Sequence, residues 1–377
     1  MTAPAAAVVA IAAAVLWVVG FAADPRAAMS AYLVAFMAAA TIMIGALLQV
    51  MMSHLVGAQW FVVLRRFGLM ITAPFPALAV LGVPLLVGAP WLYPWANPSV
   101  TVHHGIWLSP QFFAIRGMIY LALWAWIAER LRRWALYQDG ASASGIVHAT
   151  HALRRISVVG LIVVTLTGTL AAFDWTMSLE PDWYSTIYGA LVLVGGIVAA
   201  LAMIAILAFG GSTTTNSWRN TITADHGSAL ATLLFTFVIL WAYFSFSQFL
   251  IIWIGDIPVE AAWYRTRATG GWGVLAGVTF AAALAVPFVL FLFRRAKRSR
   301  GVLAAAGVWI VAAYLANVFW MIRPATSRVP AVRLIDLVAL VAVGAALVAV
   351  ATVRSRRLAT LPVGDPYLDQ ALRYRRG

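Results

Sequence analysis

Residues 186–209 read TIYGALVLVGGIVAALAMIAILAF, an uninterrupted apolar run without a charged side chain. At 1.5 Å of rise per residue, about 20 such residues match the roughly 30 Å of hydrocarbon in a bilayer. Nothing in the stretch supplies the polar face that a water-bathed helix needs. Similar runs extend on both sides, at 3–22, 30–52, 67–88, 111–128, 156–174, 228–253, 272–293, 302–321 and 334–352. None shows the two-residue alternation of a membrane β-barrel strand. The pattern predicts an all-α, polytopic membrane protein of about ten transmembrane helices. The third run holds Pro74, Pro76 and Pro84, so a kink is expected there.

Composition agrees. The 377 residues are 63% hydrophobic and only 10% charged, with a mean hydropathy of +0.92, whereas soluble domains carry about 25% charged residues. There is no cysteine, which excludes disulfides, thiolate metal sites, cysteine-held iron–sulfur clusters and covalently attached haem. The formal charge of +14 is not read as a nucleic-acid footprint, because its placement follows topology. Of 26 Lys and Arg residues, 19 fall on the even connections and the C-terminal tail, six on the odd connections, and one, Arg116, inside a run. This bias predicts both termini on the cytoplasmic side. Met1–Gly20 lacks a basic leader and is followed at once by a second apolar run, so it is expected to remain as the first helix. The chain then divides into a helical domain, 1–354, and a basic cytoplasmic tail, 355–377, suited to anionic lipid or a neighbouring chain.

Ionisable groups at membrane depth are functional candidates by default. Arg116 and Asp174 lie near the outer ends of two consecutive antiparallel runs and are expected to be neighbours. Two readings stay open for them, a structural ion pair and a proton-handling carboxylate. Gly160, Thr167 and Asp174 share one face at seven-residue spacing, and Trp241, Ser245, Gln248 and Ile252 share a face of the seventh run. Such polar residues act either as glue between helices or as partners for the two oxygens of a quinone headgroup, for which Asp174, Tyr188, Gln248 and Ser245 are the candidates. Asp225 is expected to cap the seventh helix and Asp336 to pair with Arg333. No two histidines sit at opposed mid-membrane depths, so haem b is not expected, and no metal ligand set is assigned. The 89–110 connection, with Trp91, Tyr93, Trp95, His103, His104 and Trp107, reads as an interfacial aromatic belt or a docking surface.

Two blocks are distinctive: FDWTMSLEPDWYSTIYG at 173–189, and WAYFSFSQFLIIW at 241–253 followed by Ile257-Pro258-Val259-Glu260 and Trp263-Tyr264. Both resemble ActF, the family of membrane subunits of alternative complex III, a quinol:cytochrome c oxidoreductase, within the NrfD/PsrC-like superfamily. Arg65-Arg66, Phe112-Phe113-Ala114-Ile115-Arg116 and Pro362-Val363-Gly364-Asp365-Pro366 add to the likeness. The resemblance implies two four-helix bundles with flanking helices in a bacterial inner membrane. It implies ActA-, ActB-, ActC-, ActD- and ActE-like partners that carry the haems and iron–sulfur clusters, with a haem–copper oxidase downstream. It also implies no covalently bound cofactor in this chain, with quinone or quinol as its candidate ligand. An acidic residue expected after the Arg pair is Leu69 here, and an Asp and a Lys expected early in the seventh helix are Ala229 and Thr232. The expected function is therefore a quinone-proximal or proton-handling subunit without a redox centre. The rivals are a purely structural scaffold in the same complex and a stand-alone secondary transporter.

The absence of native cysteine makes the topology directly testable. Trp91→Cys is expected to react with an impermeant maleimide in intact spheroplasts, and Arg357→Cys only after permeabilisation.

Overall fold

A computed structural model describes residues 2–97, 105–211, 221–359 and 361–375. His103, His104, Arg219 and Arg376 of the sequence reading lie outside the described residues. The fold is helical, and ten helices among the described residues are long and apolar enough to span a bilayer. In chain order the elements are α1 (Ala3–Ala23), α2 (Pro25–Leu55), α3 (Val62–Thr72), α4 (Phe75–Val87), α5 (Pro110–Asp139) and α6 (Ala143–Trp175). They continue with α7 (Tyr188–Phe209), α8 (Ala224–Gly255), the short α9 (Pro258–Ala268), α10 (Gly270–Leu292), α11 (Arg300–Ile322), α12 (Leu334–Ser355) and the short α13 (Leu368–Leu372).

The third span is broken rather than bent. α3 ends at Thr72 and α4 begins at Phe75, with Pro74 at the joint; the proline ring has no N–H for the ladder and crowds the preceding turn. The connection 129–155 corrects the sequence reading. It is not a loop, because α5 and α6 continue through it as rods and leave only a short turn around Gly140. The hydrophobic run marked the membrane-crossing part of each helix and not its end.

Two four-helix bundles result. One is formed by α2, the α3–α4 pair, α5 and α6, and the other by α7, α8, α10 and α11. α1 and α12 pack together on the flank, against α2. The bundles meet along α2 and α7. There a Cβ on Gly45 would run into the backbone of Gly196, and one on Gly196 into the carbonyl of Thr41. Without a hydrophobic drive inside lipid, close approach of small residues and interhelical hydrogen bonds carry such contacts. The Tyr314 hydroxyl of α11 donates to Thr41 Oγ1 at 2.6 Å across the same seam.

The two ends of the bundle differ. One, the basic end, gathers Arg65, Arg66, Asp139 and the C-terminal segment; the other, the aromatic end, gathers Tyr93, Trp95, Trp175 and Trp183. The tail is not a free basic extension. Asp365 accepts from Arg65 Nη1 at 2.5 Å, Tyr367 accepts from Arg154 at 2.8 Å, and the Ala371 carbonyl bonds to His226 Nε2 at 3.0 Å. Arg66 pairs with Asp139, whose carboxylate also accepts from the Gly364 backbone. Residue 364 must be glycine, since a Cβ would lie inside the Gln138 carbonyl. Arg65-Arg66 and the 362–366 segment, far apart in sequence, are thus one packed unit.

At the aromatic end Tyr93 and Trp95 are buried. Tyr93 donates to the Trp175 carbonyl at 2.9 Å and Trp95 to the Ser178 carbonyl at 3.0 Å. These two residues form neither an interfacial belt nor a docking surface. They plug the first bundle, while Trp91 and Trp107 stay partly exposed.

Asp365→Ala strands a buried Arg65 and detaches the tail. Trypsin cleavage after Arg356 and Arg357 is expected to speed up several-fold, read by limited proteolysis of the detergent-solubilised protein.

Candidate functional site

Two polar centres occupy the aromatic end, one in each bundle. The first is built on the facing stripes of α5 and α6. Arg116, Tyr120 and Trp124 recur every four residues, and Thr167 and Asp174 lie seven apart, so each set shares a face. Arg116 Nε and Nη2 donate to the Asp174 carboxylate at 2.9 and 2.8 Å. Tyr120 adds a third donor at 3.1 Å and the indole of Trp107 a fourth, also at 3.1 Å. Arg116 returns a bond to the Trp107 carbonyl at 2.9 Å and lies 4.0 Å from the Trp107 ring and 4.4 Å from the Phe112 ring. One turn deeper, Trp124 donates to Thr167 Oγ1 at 2.8 Å. The expected Arg116–Asp174 pairing is therefore made, in bidentate form, with Arg116 6% and Asp174 1% exposed. Four donors fill both carboxylate oxygens, which is the arrangement that keeps a buried charge tolerable.

The second centre is a cavity of about 560 Å³ between α8, α10 and α11, roofed by α9. From α8 come Trp241, Ser245 and Gln248, three of the four residues expected to share a face; Ile252, the fourth, is not among the lining. α10 offers Gly273, Ala276 and Gly277, and their missing side-chain volume opens the space; a Cβ on Gly277 would meet nothing within 4 Å. Phe246, Phe249, Gly277 and Phe280 of the lining are exposed on the outer surface of the bundle, so the cavity opens sideways.

Its roof is held by a buried cation. Arg267 stacks 3.8 Å over Trp263 and donates to Glu180 at 2.8 Å, to the Trp263 carbonyl at 3.2 Å and to the Met321 carbonyl at 2.9 Å. Trp263 in turn stacks on Trp183, with centroids 4.6 Å apart at 15°. Below the roof, Gln248 accepts from Ser185 at 3.0 Å and donates to the Tyr264 hydroxyl at 3.1 Å. Burial pushes the Tyr264 phenol up to about 12, so it keeps its proton at any physiological pH, and among the described residues that proton has no acceptor. Ser245, Thr232 and Thr236 of α8 spend their hydroxyl protons on the carbonyl four residues back, at 2.8, 3.0 and 3.0 Å. Thr279 of α10 does not. It is 5% exposed, borders the cavity, and its Oγ1 has no hydrogen-bond partner. Native structures rarely leave buried polar atoms unpaired, so each such atom calls for an explanation.

The quinone candidates are thereby divided. Gln248 and Ser245 border the cavity. Tyr188 does not; its ring packs edge-on against Trp183 at 5.5 Å and its hydroxyl bonds to Thr176. Asp174 belongs to the other bundle and is fully occupied by its four donors. Tyr264, Arg267, Thr279 and Asn317, all of them lining residues, were not among the candidate site residues read from sequence; Tyr264 entered only as part of a distinctive block. The best available signal was the Trp263-Tyr264 pair beside Arg265 and Arg267, in a connection that also holds Asp256 and Glu260.

Two smaller expectations are corrected. α8 is capped by Thr223 with His226, whose Nδ1 accepts from the Thr223 backbone at 3.1 Å, while Asp225 pairs with Arg298 at 2.7 Å. The Asp336 side chain accepts from the Arg333 backbone at 2.8 Å, but its ion pair is with the buried Arg323 at 3.5 Å, and the Arg333 guanidinium turns to Asp24 at 4.0 Å. Among the described residues no group of three His, Cys, Asp or Glu is placed to hold a metal ion. No protein-family model matches the chain, and no curated protein matches it significantly.

Asp174→Ala leaves Arg116 buried and unpaired, and is expected to cost about 3–5 kcal/mol. The double variant Arg116→Met, Asp174→Leu is expected to recover most of the loss. Thermal unfolding of the singles and the double in one detergent measures both.

Proposed function

We propose that this chain is a non-redox membrane subunit of a quinol-oxidising respiratory complex, similar to ActF of alternative complex III, and that its second bundle binds the quinone headgroup. The observation that carries this reading is the cavity: enclosed by aromatic rings, open to the bilayer on one side, and furnished with hydroxyl and amide groups that are not all used. Its volume of about 560 Å³ lies in the usual range for small-molecule sites. It is large enough for a substituted ring and the first part of an isoprenoid tail, and the remainder of the tail would leave through the side opening at Phe246, Phe249 and Phe280.

The polar groups suit both redox forms. Oxidised quinone presents two carbonyl acceptors, and quinol two hydroxyl donors. Tyr264 and Thr279 each hold a hydroxyl that donates or accepts, while Gln248 Oε1 and Ser245 Oγ accept. Oxidation of a bound quinol requires an electron acceptor, which the resemblance assigns to haem- and iron–sulfur-bearing partner subunits. The arginine bias of the basic end supports an orientation with that end in the cytoplasm and the cavity toward the exterior, in a bacterial inner membrane.

The Arg116–Asp174 centre is better suited to clamping than to proton transfer. Its carboxylate is already engaged by four donors, and the ionisable groups that the resemblance places deeper in the membrane are absent, at Leu69 of the first bundle and at Ala229 and Thr232 of the second. A scaffold role for this bundle beside a binding role for the other follows. A transporter has less support, because the break between α3 and α4 has no counterpart in α7, α8, α10 or α11.

Trp241, Trp263 and Trp320 line the cavity, so a short-chain quinone is expected to quench tryptophan emission of the purified protein. Tyr264→Phe and Gln248→Leu are each expected to weaken binding about tenfold, the value of one lost hydrogen bond in a dry site. Unchanged affinity in both variants contradicts the assignment.

A further inference from the structure

A second recess lies at the basic end, on the outer surface between α5 and α6, with a volume of about 480 Å³. Arg130 and Trp134 border it from α5; His148, His151 and Arg155 border it from α6, and Ala152 and Ile156 complete the floor. The spacing explains the convergence. Residues 126, 130 and 134 share one face of α5, and 148, 151, 155, 159 and 162 share one face of α6. Both arginines and both histidines are exposed, and the Trp134 ring packs edge-on to His148 at 5.3 Å.

The charges here are uncompensated. Glu129, the nearest carboxylate in sequence, is taken by Arg132 at 2.9 Å, Arg133 at 2.6 Å and also Arg354. Arg154 turns away to Tyr367. Neither Arg130 nor Arg155 has an ion-pair partner among the described residues. Both stand where the apolar part of their helix meets its polar extension. Beyond them, on the membrane side of the same groove, Trp126, Val158, Val159, Ile162 and Leu166 are at least half exposed. Positive charge at the interface above an apolar stripe is the chemistry of a phosphodiester headgroup with its acyl chains. An acidic peptide from the aqueous side would match the charges but would leave the stripe unused.

We propose that the α5–α6 recess at the basic end is a binding site for one anionic phospholipid, its phosphate held by Arg130 and Arg155 and its headgroup resting on Trp134. The site is separate from the quinone cavity and does not depend on that assignment.

Native mass spectrometry of the delipidated full-length protein, titrated with phosphatidylglycerol, cardiolipin or phosphatidylcholine, tests it. The wild type is expected to prefer an anionic lipid, and the Arg130→Gln, Arg155→Gln double variant to bind it about tenfold or more weakly. Arg357→Gln, which removes an exposed charge from the same end, is expected to change nothing, and millimolar inorganic phosphate is expected not to displace the lipid. His148→Ala, His151→Ala is a second probe of the same recess, expected to weaken retention less than the arginine pair, should the latter fail to fold. Equal binding of phosphatidylcholine, an equal loss in Arg357→Gln, full displacement by phosphate, or wild-type retention in both recess variants would overturn the proposal.

Discussion

Among the described residues five arginines are buried, and each is paired with a different carboxylate: Arg65 with Asp365, Arg66 with Asp139, Arg116 with Asp174, Arg267 with Glu180, and Arg323 with Asp336. Hydrocarbon offers no water to solvate a guanidinium, so such a charge persists only where the protein itself supplies the counter-charge. The constraint is severe in a protein with only 12 acidic residues. Five of them are committed to these pairs. The pairs lie at the two ends of the bundle, and each joins elements the chain reaches separately: tail to α3, α5 to α3, α5 to α6, α9 to the segment before α7, α11 to α12. Apolar packing fills the space between helices without specifying which helix neighbours which, whereas an ion pair in a dry setting does, most of all the bidentate Arg116–Asp174 pair. The pairs are thus better understood as registry devices than as sources of net stability.

The same logic separates what the polar residues are for. Four donors fill both oxygens of Asp174, so its carboxylate has nothing left over to meet a ligand. In the second bundle Arg267 and Glu180 fasten the roof, and beneath it hydroxyl groups remain that the fold does not use: the Tyr264 proton and the Thr279 oxygen. The small residues Gly273, Ala276 and Gly277 leave room beside them. On the proposed reading the α8–α10–α11 side holds the ligand, with the first bundle and the docked tail forming the frame.

The membrane-spanning helices were legible because hydrophobicity over about 20 residues is a local property. That the third span is disturbed was legible for the same reason, since Pro74 acts on its own neighbourhood, but its full break into α3 and α4 was expected only as a kink. The Arg116–Asp174 pair could be read because both residues lie in consecutive antiparallel helices whose ends must be level. Arg267 was assigned to an exterior connection, and nothing local to residues 258–268 says that Glu180, from a different connection, would cover it. Thr279 was invisible for a further reason. A threonine in a helix normally returns its proton to its own backbone, and only coordinates reveal one that does not. Tyr188 opens α7 with its ring against Trp183 and outside the cavity, whereas Gln248, about two turns inside the end of α8, borders it. Depth was readable from sequence, and azimuth around the bundle was not.

The account stands or falls on where a quinone sits. Cryo-electron microscopy of the full-length protein in a nanodisc with a tightly bound quinol analogue addresses this directly. Ring density between α8 and α10, within hydrogen-bonding distance of Tyr264 and with its tail leaving past Phe246, is the predicted result. Density beside Asp174 in the first bundle, with the α8–α10–α11 cavity filled by lipid chains alone, would contradict it.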